Sequence, residues 1–311
     1  MQNSKNRDIV VAALKHAAPY IRMFKRKVFV LKAGGEIFAS LEATRALVEQ
    51  IAILHQVGIR VVLVHGGGPQ STKLSEALGL STQFIQGRRV TDEQALEVAA
   101  MVLNGQINTR ILAACRDLDL PAVGISGVDA GLIRAHKRPP VNVEGHSGGP
   151  VDYGFVGDID SVDADVLRTQ LDSGLVPVIS PLSADKAGVL LNINADTVAA
   201  ALAAALGAEK LILATGAPGI LEDRNDPTSV VSFIDLAGLH KLRASGALAE
   251  GMLPKAAAIE AAIKGGVPRV HVISYKLPDS LLLEVFTNEG TGTLVVENID
   301  TLTPEEQAQG K

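Results

Sequence analysis

Two stretches carry residue types whose spacing suits phosphate or carboxylate chemistry. "VVLVHGGGPQ" (61–70) runs from four apolar residues through a histidine into Gly66, Gly67 and Gly68. "VFVLKAGGEIF" (28–38) repeats the plan with Gly34 and Gly35 and sets Lys32 just ahead of the pair. Glycine gives up side-chain packing and loses the most backbone entropy on ordering, so a triplet directly after an apolar run signals close approach of the backbone to something. Bare N–H groups at a strand end and ahead of a helix form a nest for an anion, and a lysine there adds a positive charge. The plain alternative is a tight connection in which glycine only permits positive φ, which suits a pair better than a triplet. No GxxxxGK[ST] loop and no HRD or DFG signature is present, which sets aside P-loop enzymes and protein kinases. HGGG also serves esterases as an oxyanion loop, but the GxSxG match, "GHSGG" (145–149), lies in a Gly/Pro-rich stretch and not between a strand and a helix, so it does not read as a nucleophile elbow.

The elements that must position these turns alternate. "KVFVLKA", "RVVLVHG", "AVGIS", "VPVISP", "KLILAT" and "RVHVIS" read as strands. Between them "LEATRALVEQIAILHQVG", "DEQALEVAAMVLNGQINTRILAACRDL", "DADVLRTQLDSG", "ADTVAAALAAALGA" and "PKAAAIEAAIKGG" have helical period, several ending in a glycine suited to a C-cap. This is the pattern of an α/β protein with a largely parallel sheet, in which ligands bind outside the C-terminal strand ends, so both glycine turns are expected to face one crevice. "AHKRPPVNVEGHSGGPVDYGFVGDID" breaks the alternation and suggests a hairpin excursion or loop over a site. Ahead of the first strand, Ile9, Val10, Ala13, Leu14, Ala17, Tyr20, Ile21 and Phe24 fall on one helical stripe, with a kink expected at Pro19.

Composition narrows the function classes. The chain has 311 residues, 47% of them hydrophobic, a net charge of −5 and one cysteine, Cys115. The acidic balance argues against a nucleic-acid surface, so an anionic ligand must be held by a few local cations. No apolar run approaches the ~20 residues of a membrane span, and the N-terminus lacks the order of a signal peptide, so a cytoplasmic protein is expected. No Cys/His cluster has metal-ligand spacing, and no protein-held metal site is expected.

The ordered set "KAGG", "HGGGP", "GRRVTD", "VDYGFVGDI", "NINADTVAAALAAALGA" and "GMLPK" resembles the acetylglutamate kinases of the amino acid kinase family, from about Ala13 to Val296. The resemblance implies an open αβα sandwich with a mainly parallel central sheet. It places a helix at 1–26 for oligomerisation, an acyl-amino-acid and dimerisation half at 27–187, and an ATP half at 188–311. The implied reaction phosphorylates the side-chain carboxylate of N-acetyl-L-glutamate in arginine biosynthesis, with ATP and Mg2+. Lys32 and Lys255 match the lysines that hold the γ-phosphoryl group, and Asp196 the aspartate that organises them; by itself Asp196 also suits a helix N-cap. Arg89 matches the clamp on the substrate's α-carboxylate, Asn192 a substrate contact, and Gly66, Gly67 and Gly68 the backbone against the reacting oxygens. Gly34, Gly35, Thr215, Gly219 and Lys255 fall to the nucleotide. Gly216 replaces an aspartate of the common pattern, Val128 a lysine, and "SYK" (274–276) the usual "DGR". An N-acyl or carrier-bound aminoadipate kinase and a non-catalytic ligand-binding homologue therefore stay open. His271, Glu284 and Gly292 stand where arginine-inhibited members build their effector site, and such members assemble as hexamers of three dimers. A chain of this length is expected to lack the acetyltransferase domain of bifunctional relatives.

Overall fold

Strand composition sorts side chains onto two faces of one sheet. In Val28–Ala33 and Arg60–His65, Phe29, Leu31, Val61 and Leu63 enter one apolar cluster, while Val30, Val62 and Val64 enter the other. Both faces of a mainly parallel sheet are covered by helices, so its strands carry apolar residues at consecutive positions. The computed structural model describes residues 2–85, 88–143, 148–248, 250–288 and 290–302. Residues 144–147 of the expected excursion, Gly87 of "GRRVTD", Glu289 and residues 303–311 lie outside them.

The sheet has eight strands in the order Phe233–Asp235, Thr293–Val296, Val270–Ser274, Lys210–Thr215, Val28–Ala33, Arg60–His65, Val176–Ser180, Ala122–Ser126. All pairings are parallel except that between Val270–Ser274 and Thr293–Val296. Leu41–Gln56, Thr109–Asp117 and Ser280–Phe286 cover one face; Asp165–Asp172, Ala195–Leu206 and Leu253–Lys264 cover the other. The αβα sandwich and the six sequence-read strands are all present. Gly207, at φ 61, closes Ala195–Leu206 in the left-handed region that a Cβ disfavours.

The excursion forms an antiparallel hairpin, Ile133–Lys137 with Gly157–Val162, in a small second sheet ordered Leu190–Asn192, Leu182–Ala184, Ile133–Lys137, Gly157–Val162. The long stretch after Asp92 is Glu93–Ala100, then a π-helical segment Met101–Asn108, then Thr109–Asp117. The leading helix Gln2–Phe24 runs through Pro19 as one element. Its Phe24 is buried against Phe29, whereas Ile9, Val10 and Leu14 are at least 59% exposed. Among the described residues no helix is long and apolar enough to cross a membrane.

Candidate active site

The two glycine turns meet at the C-terminal ends of adjacent strands. The Gly66 N–H donates to the Ala33 carbonyl at 2.9 Å, and a Cβ on Gly35 would lie 3.0 Å from Gly67 Cα. The triplet's glycines have separate reasons. A Cβ on Gly67 would stand 2.7 Å from the tips of Leu103 and Ile107 in the π-helical segment, and one on Gly66 would reach 3.4 Å from the Gly35 nitrogen. One on Gly68 would meet nothing within 4 Å. The close approach is thus partly of the chain to itself.

Above the turns lies a cleft of about 610 Å³. It is lined by Lys32, Gly34, Gly35, Gly66, Gly67, Gly68, Arg89, Asn192, Asp196 and Lys255, so ten of the sequence-derived site residues come together. The first turns of Gly68–Ala77, Ala195–Leu206 and Leu253–Lys264 all face it. Three helix N-termini on one cleft bring three positive dipole ends together.

Lys32 Nζ lies 2.8 Å from Asp196 Oδ1, and Lys255 Nζ donates to Asp196 Oδ2 at 3.2 Å. Burial pushes the Asp196 carboxyl up, but the two ammonium groups outweigh it and hold the carboxyl below its usual range, so it is ionised. The helix cap is not Asp196. Asn194 fills that place, its side chain accepting from the Asp196 and Thr197 amides, which leaves the carboxylate free for the lysines.

Arg89 is half-buried on the hairpin Phe84–Ile85/Arg88–Arg89. It donates to Thr72 Oγ1 at 2.6 Å, Thr82 Oγ1 at 3.2 Å and the Gly68 carbonyl at 3.3 Å, and lies over the Phe84 ring. These contacts fix the guanidinium beside the third glycine. Arg88 also lines the cleft and is exposed. Asn192 Nδ2 donates to Thr91 Oγ1 at 3.4 Å. Thr215 and Gly219 do not line the cleft: Thr215 Oγ1 donates to the Ala217 carbonyl, and a Cβ on Gly219 would press on Thr293 Oγ1 at 2.7 Å.

A model of the "Amino acid kinase family" matches residues 27–274. The chain belongs to the amino acid kinase family. It is 50% identical over 288 residues to the acetylglutamate kinase of Myxococcus xanthus, covering 92% of this chain and 94% of that one. To the acetylglutamate kinase of Symbiobacterium thermophilum it is 44% identical over 286 residues, with 92% and 97% covered. The solved N-acetylglutamate synthase from Neisseria gonorrhoeae, complexed with coenzyme A and N-acetyl-glutamate, superposes with a TM-score of 0.80 at 30% identity. That match covers 93% of this chain and 63% of the synthase. The Giardia carbamate kinase shares the fold, with a TM-score of 0.61 at 16% identity over 88% of this chain and 99% of that one.

This amino acid kinase holds a second buried charge cluster on the other face of the sheet. His271 Nδ1 lies 2.5 Å from Glu284 Oε1, and Lys210 Nζ lies 3.1 Å from His271 Nε2. An ammonium only donates, so Nε2 accepts and the Nδ1–H donates to the carboxylate: the imidazole is neutral. Burial and Lys210 both lower the His271 pKa in agreement. Glu284 is pushed up by burial but pulled down, on balance to about 2, by His271, the Thr291 amide and Lys210. The Thr291 N–H donates to Glu284 Oε2 at 2.6 Å. A Cβ on Gly292 would stand 2.0 Å from the Val272 carbonyl, so only glycine fits there. Sequence reasoning found His271, Glu284 and Gly292 through resemblance but missed Lys210, whose ammonium also sits over the Phe24 ring, and the Tyr20–Asn288 hydrogen bond that ties the leading helix to this corner. It also missed the part-buried Arg138–Asp158 pair at the cleft wall, Arg138 Nη2 donating at 2.6 Å. A basic residue opening an apolar run was the available signal for Lys210; Arg138, inside the excursion, had none.

Proposed function

We propose that the chain is an acetylglutamate kinase, transferring the γ-phosphoryl group of ATP to the side-chain carboxylate of N-acetyl-L-glutamate. The observation that carries this is Asp196 holding Lys32 and Lys255 over two abutting glycine turns, in a chain half identical to an enzyme of that name. A carboxylate acceptor is already ionised at neutral pH, so no general base is needed. One acceptor oxygen forms the new P–O bond, the bond to the β-phosphate oxygen breaks, and ADP leaves with those electrons. What the protein supplies is alignment and charge. Lys32 and Lys255 neutralise the spreading phosphoryl oxygens, and Asp196 holds both ammonium groups in place without releasing either from the cleft. Arg89 offers its charge and its remaining N–H groups to the α-carboxylate, Asn192 a donor to the acceptor, and the turns at Gly34, Gly35, Gly67 and Gly68 backbone amides, the Gly66 amide being bound to Ala33. Thr215, Gly219 and the rest of 188–311 form the nucleotide half, against the acceptor half at 27–187.

Among the described residues no group of three His, Cys, Asp or Glu could hold a metal ion, and both Asp196 oxygens face lysines. The described residues therefore do not build a magnesium site of their own; Mg2+ would come on the nucleotide phosphates. A coupled ADP-release assay with N-acetylglutamate, N-acetyl-aminoadipate and no acceptor, with hydroxylamine trapping of the acyl phosphate, tests the reading. Turnover with N-acetylglutamate is expected; ADP release independent of acceptor, or preference for the longer acid, overturns it.

The finer reading is a cytoplasmic hexamer of three dimers inhibited by L-arginine. The exposed Ile9, Val10 and Leu14 on a long leading helix support assembly, and Phe24 over Lys210 and Tyr20 on Asn288 support coupling of that helix to the His271–Glu284 corner. Light scattering of the full chain and of a chain starting at Lys25 tests the assembly, with a hexamer and a dimer expected; dimers in both sink it. Full activity in millimolar arginine removes the inhibition.

A further inference from the structure

We propose that His65 is a positioning residue that aims the Gly67 N–H into the active-site cleft, an inference that rests on the phosphoryl-transfer reading of that cleft. The imidazole is fully buried beneath the glycine turn and edge-on to Phe38. Its Nε2 lies 3.3 Å from Asn108 Nδ2, and its Nδ1 lies 3.3 Å from the Gly66 carbonyl oxygen. The order of constraints begins at a backbone group. The Val178 carbonyl can only accept, and Asn108 Nδ2 donates to it at 3.0 Å, which fixes the orientation of the amide. The same NH2 therefore presents a hydrogen to Nε2, so Nε2 is the unprotonated nitrogen and the ring proton is on Nδ1, facing Gly66. Burial, lowering the pKa to about 4, keeps the ring neutral at working pH.

A donor on Nδ1 holds the Gly66 carbonyl toward the interior. The peptide unit is planar and trans, so the N–H of Gly67 points the opposite way, out to the cleft that Gly67 lines. The preceding unit is fixed as well, its Gly66 N–H donating to the Ala33 carbonyl at 2.9 Å, so the chain enters the Gly66–Gly67 peptide from an anchored position. Gly124 completes the device: a Cβ there would stand 1.9 Å from Asn108 Oδ1, so this strand position has room for the amide only as glycine.

Nitrogen NMR of the histidine-labelled protein, with His65→Asn identifying the signal by difference, reads the tautomer without any assay. A proton on Nδ1 is expected; one on Nε2, or an imidazolium at pH 7, overturns the proposal whatever the substrate is. Activity then tests the consequence. Asparagine places its NH2 near Nδ1 and keeps the donor to Gly66, whereas glutamine reaches only the Nε2 position. His65→Gln is expected to lower kcat about 10- to 100-fold with KM for both substrates within about threefold, and His65→Asn to stay within about fivefold of the parent. Gly124→Ala, which touches neither the histidine nor the cleft, should share the His65→Gln loss. Equal losses in His65→Gln and His65→Asn that follow Tm, or a rise in KM in place of the fall in kcat, would make His65 a packing residue. A parent inactive on N-acetylglutamate but carrying the Nδ1 proton would sink the functional reading and leave this one standing.

Discussion

The two faces of the sheet each hold a buried carboxylate between two basic groups, yet only one of them is open. Asp196 has Lys32 at 2.8 Å and Lys255 at 3.2 Å, and both lysines line the cleft. Glu284 has His271 and, through it, Lys210, but its second oxygen is taken by the amide and hydroxyl of Thr291. An ammonium has three hydrogens, so a lysine that gives one to a carboxylate still has two for a phosphate. A neutral imidazole with both nitrogens engaged has none, and the Lys210 ammonium behind it is buried and does not line the cleft. The contrast teaches that catalytic capacity lies in donors left over after the carboxylate is bound, not in the number of charges buried.

The sharpest way to break the comparison is to remove an open donor. Lys32→Ala or Lys255→Ala should lower kcat about 1,000-fold with much smaller changes in KM, as for a contact made mainly in the transition state. Steady-state kinetics showing near-parent kcat for either would move the phosphoryl group elsewhere. Arg89→Lys comes next. Losing the planar guanidinium and the contacts that fix it beside Gly68 should raise KM for the acceptor roughly 30-fold, the worth of about one charged hydrogen bond, and KM for ATP by far less. Equal rises would place Arg89 outside the acceptor site. Glu284→Gln, on the closed side, should lower kcat in the absence of effector by no more than about threefold.

The same variant has a pH signature. Glu284 is ionised in the folded state down to about pH 2, against 4.5 for an ordinary glutamate. Its folded pKa is depressed, so its contribution is complete above the unfolded value and is lost as pH falls from about 4.5 toward 2. Denaturant melts across that range should show a shallower acid limb in Glu284→Gln, by on the order of 1–3 kcal/mol. An unchanged limb would mean that the carboxylate is not held as described.

The strands, their helices and the glycine turns were legible because apolar runs of five or six residues and caps leave local marks. Lys32 was legible because a charged residue interrupts such a run just before two glycines. Of the small sheet, the antiparallel pair Ile133–Lys137 and Gly157–Val162 matches the expected hairpin, but Leu182–Ala184 and Leu190–Asn192 are three residues each, too short for any period to register. Nor were Lys210 and His65. Lys210 reads as the polar start of a strand, and its partner is 61 residues away; His65 reads as the end of one, and Asn108 is 43 residues off. The Asn194 cap was lost to its neighbour because "NAD" offers two capping residues, and only the backbone decides between them.

The cleft's lining bears on the rate at which substrates arrive. The protein carries a net charge of −5, yet Lys32, Arg88, Arg89, Arg138 and Lys255 gather around one opening, against Glu36, Asp196 and the Asp158 that pairs with Arg138. A polyanionic nucleotide therefore meets a protein of net negative charge whose cleft mouth carries a local excess of positive charge that draws it in. Added salt shortens the reach of that field to within about 10 Å at 0.1 M, so the productive-encounter rate constant should fall with ionic strength even where the chemical step does not change.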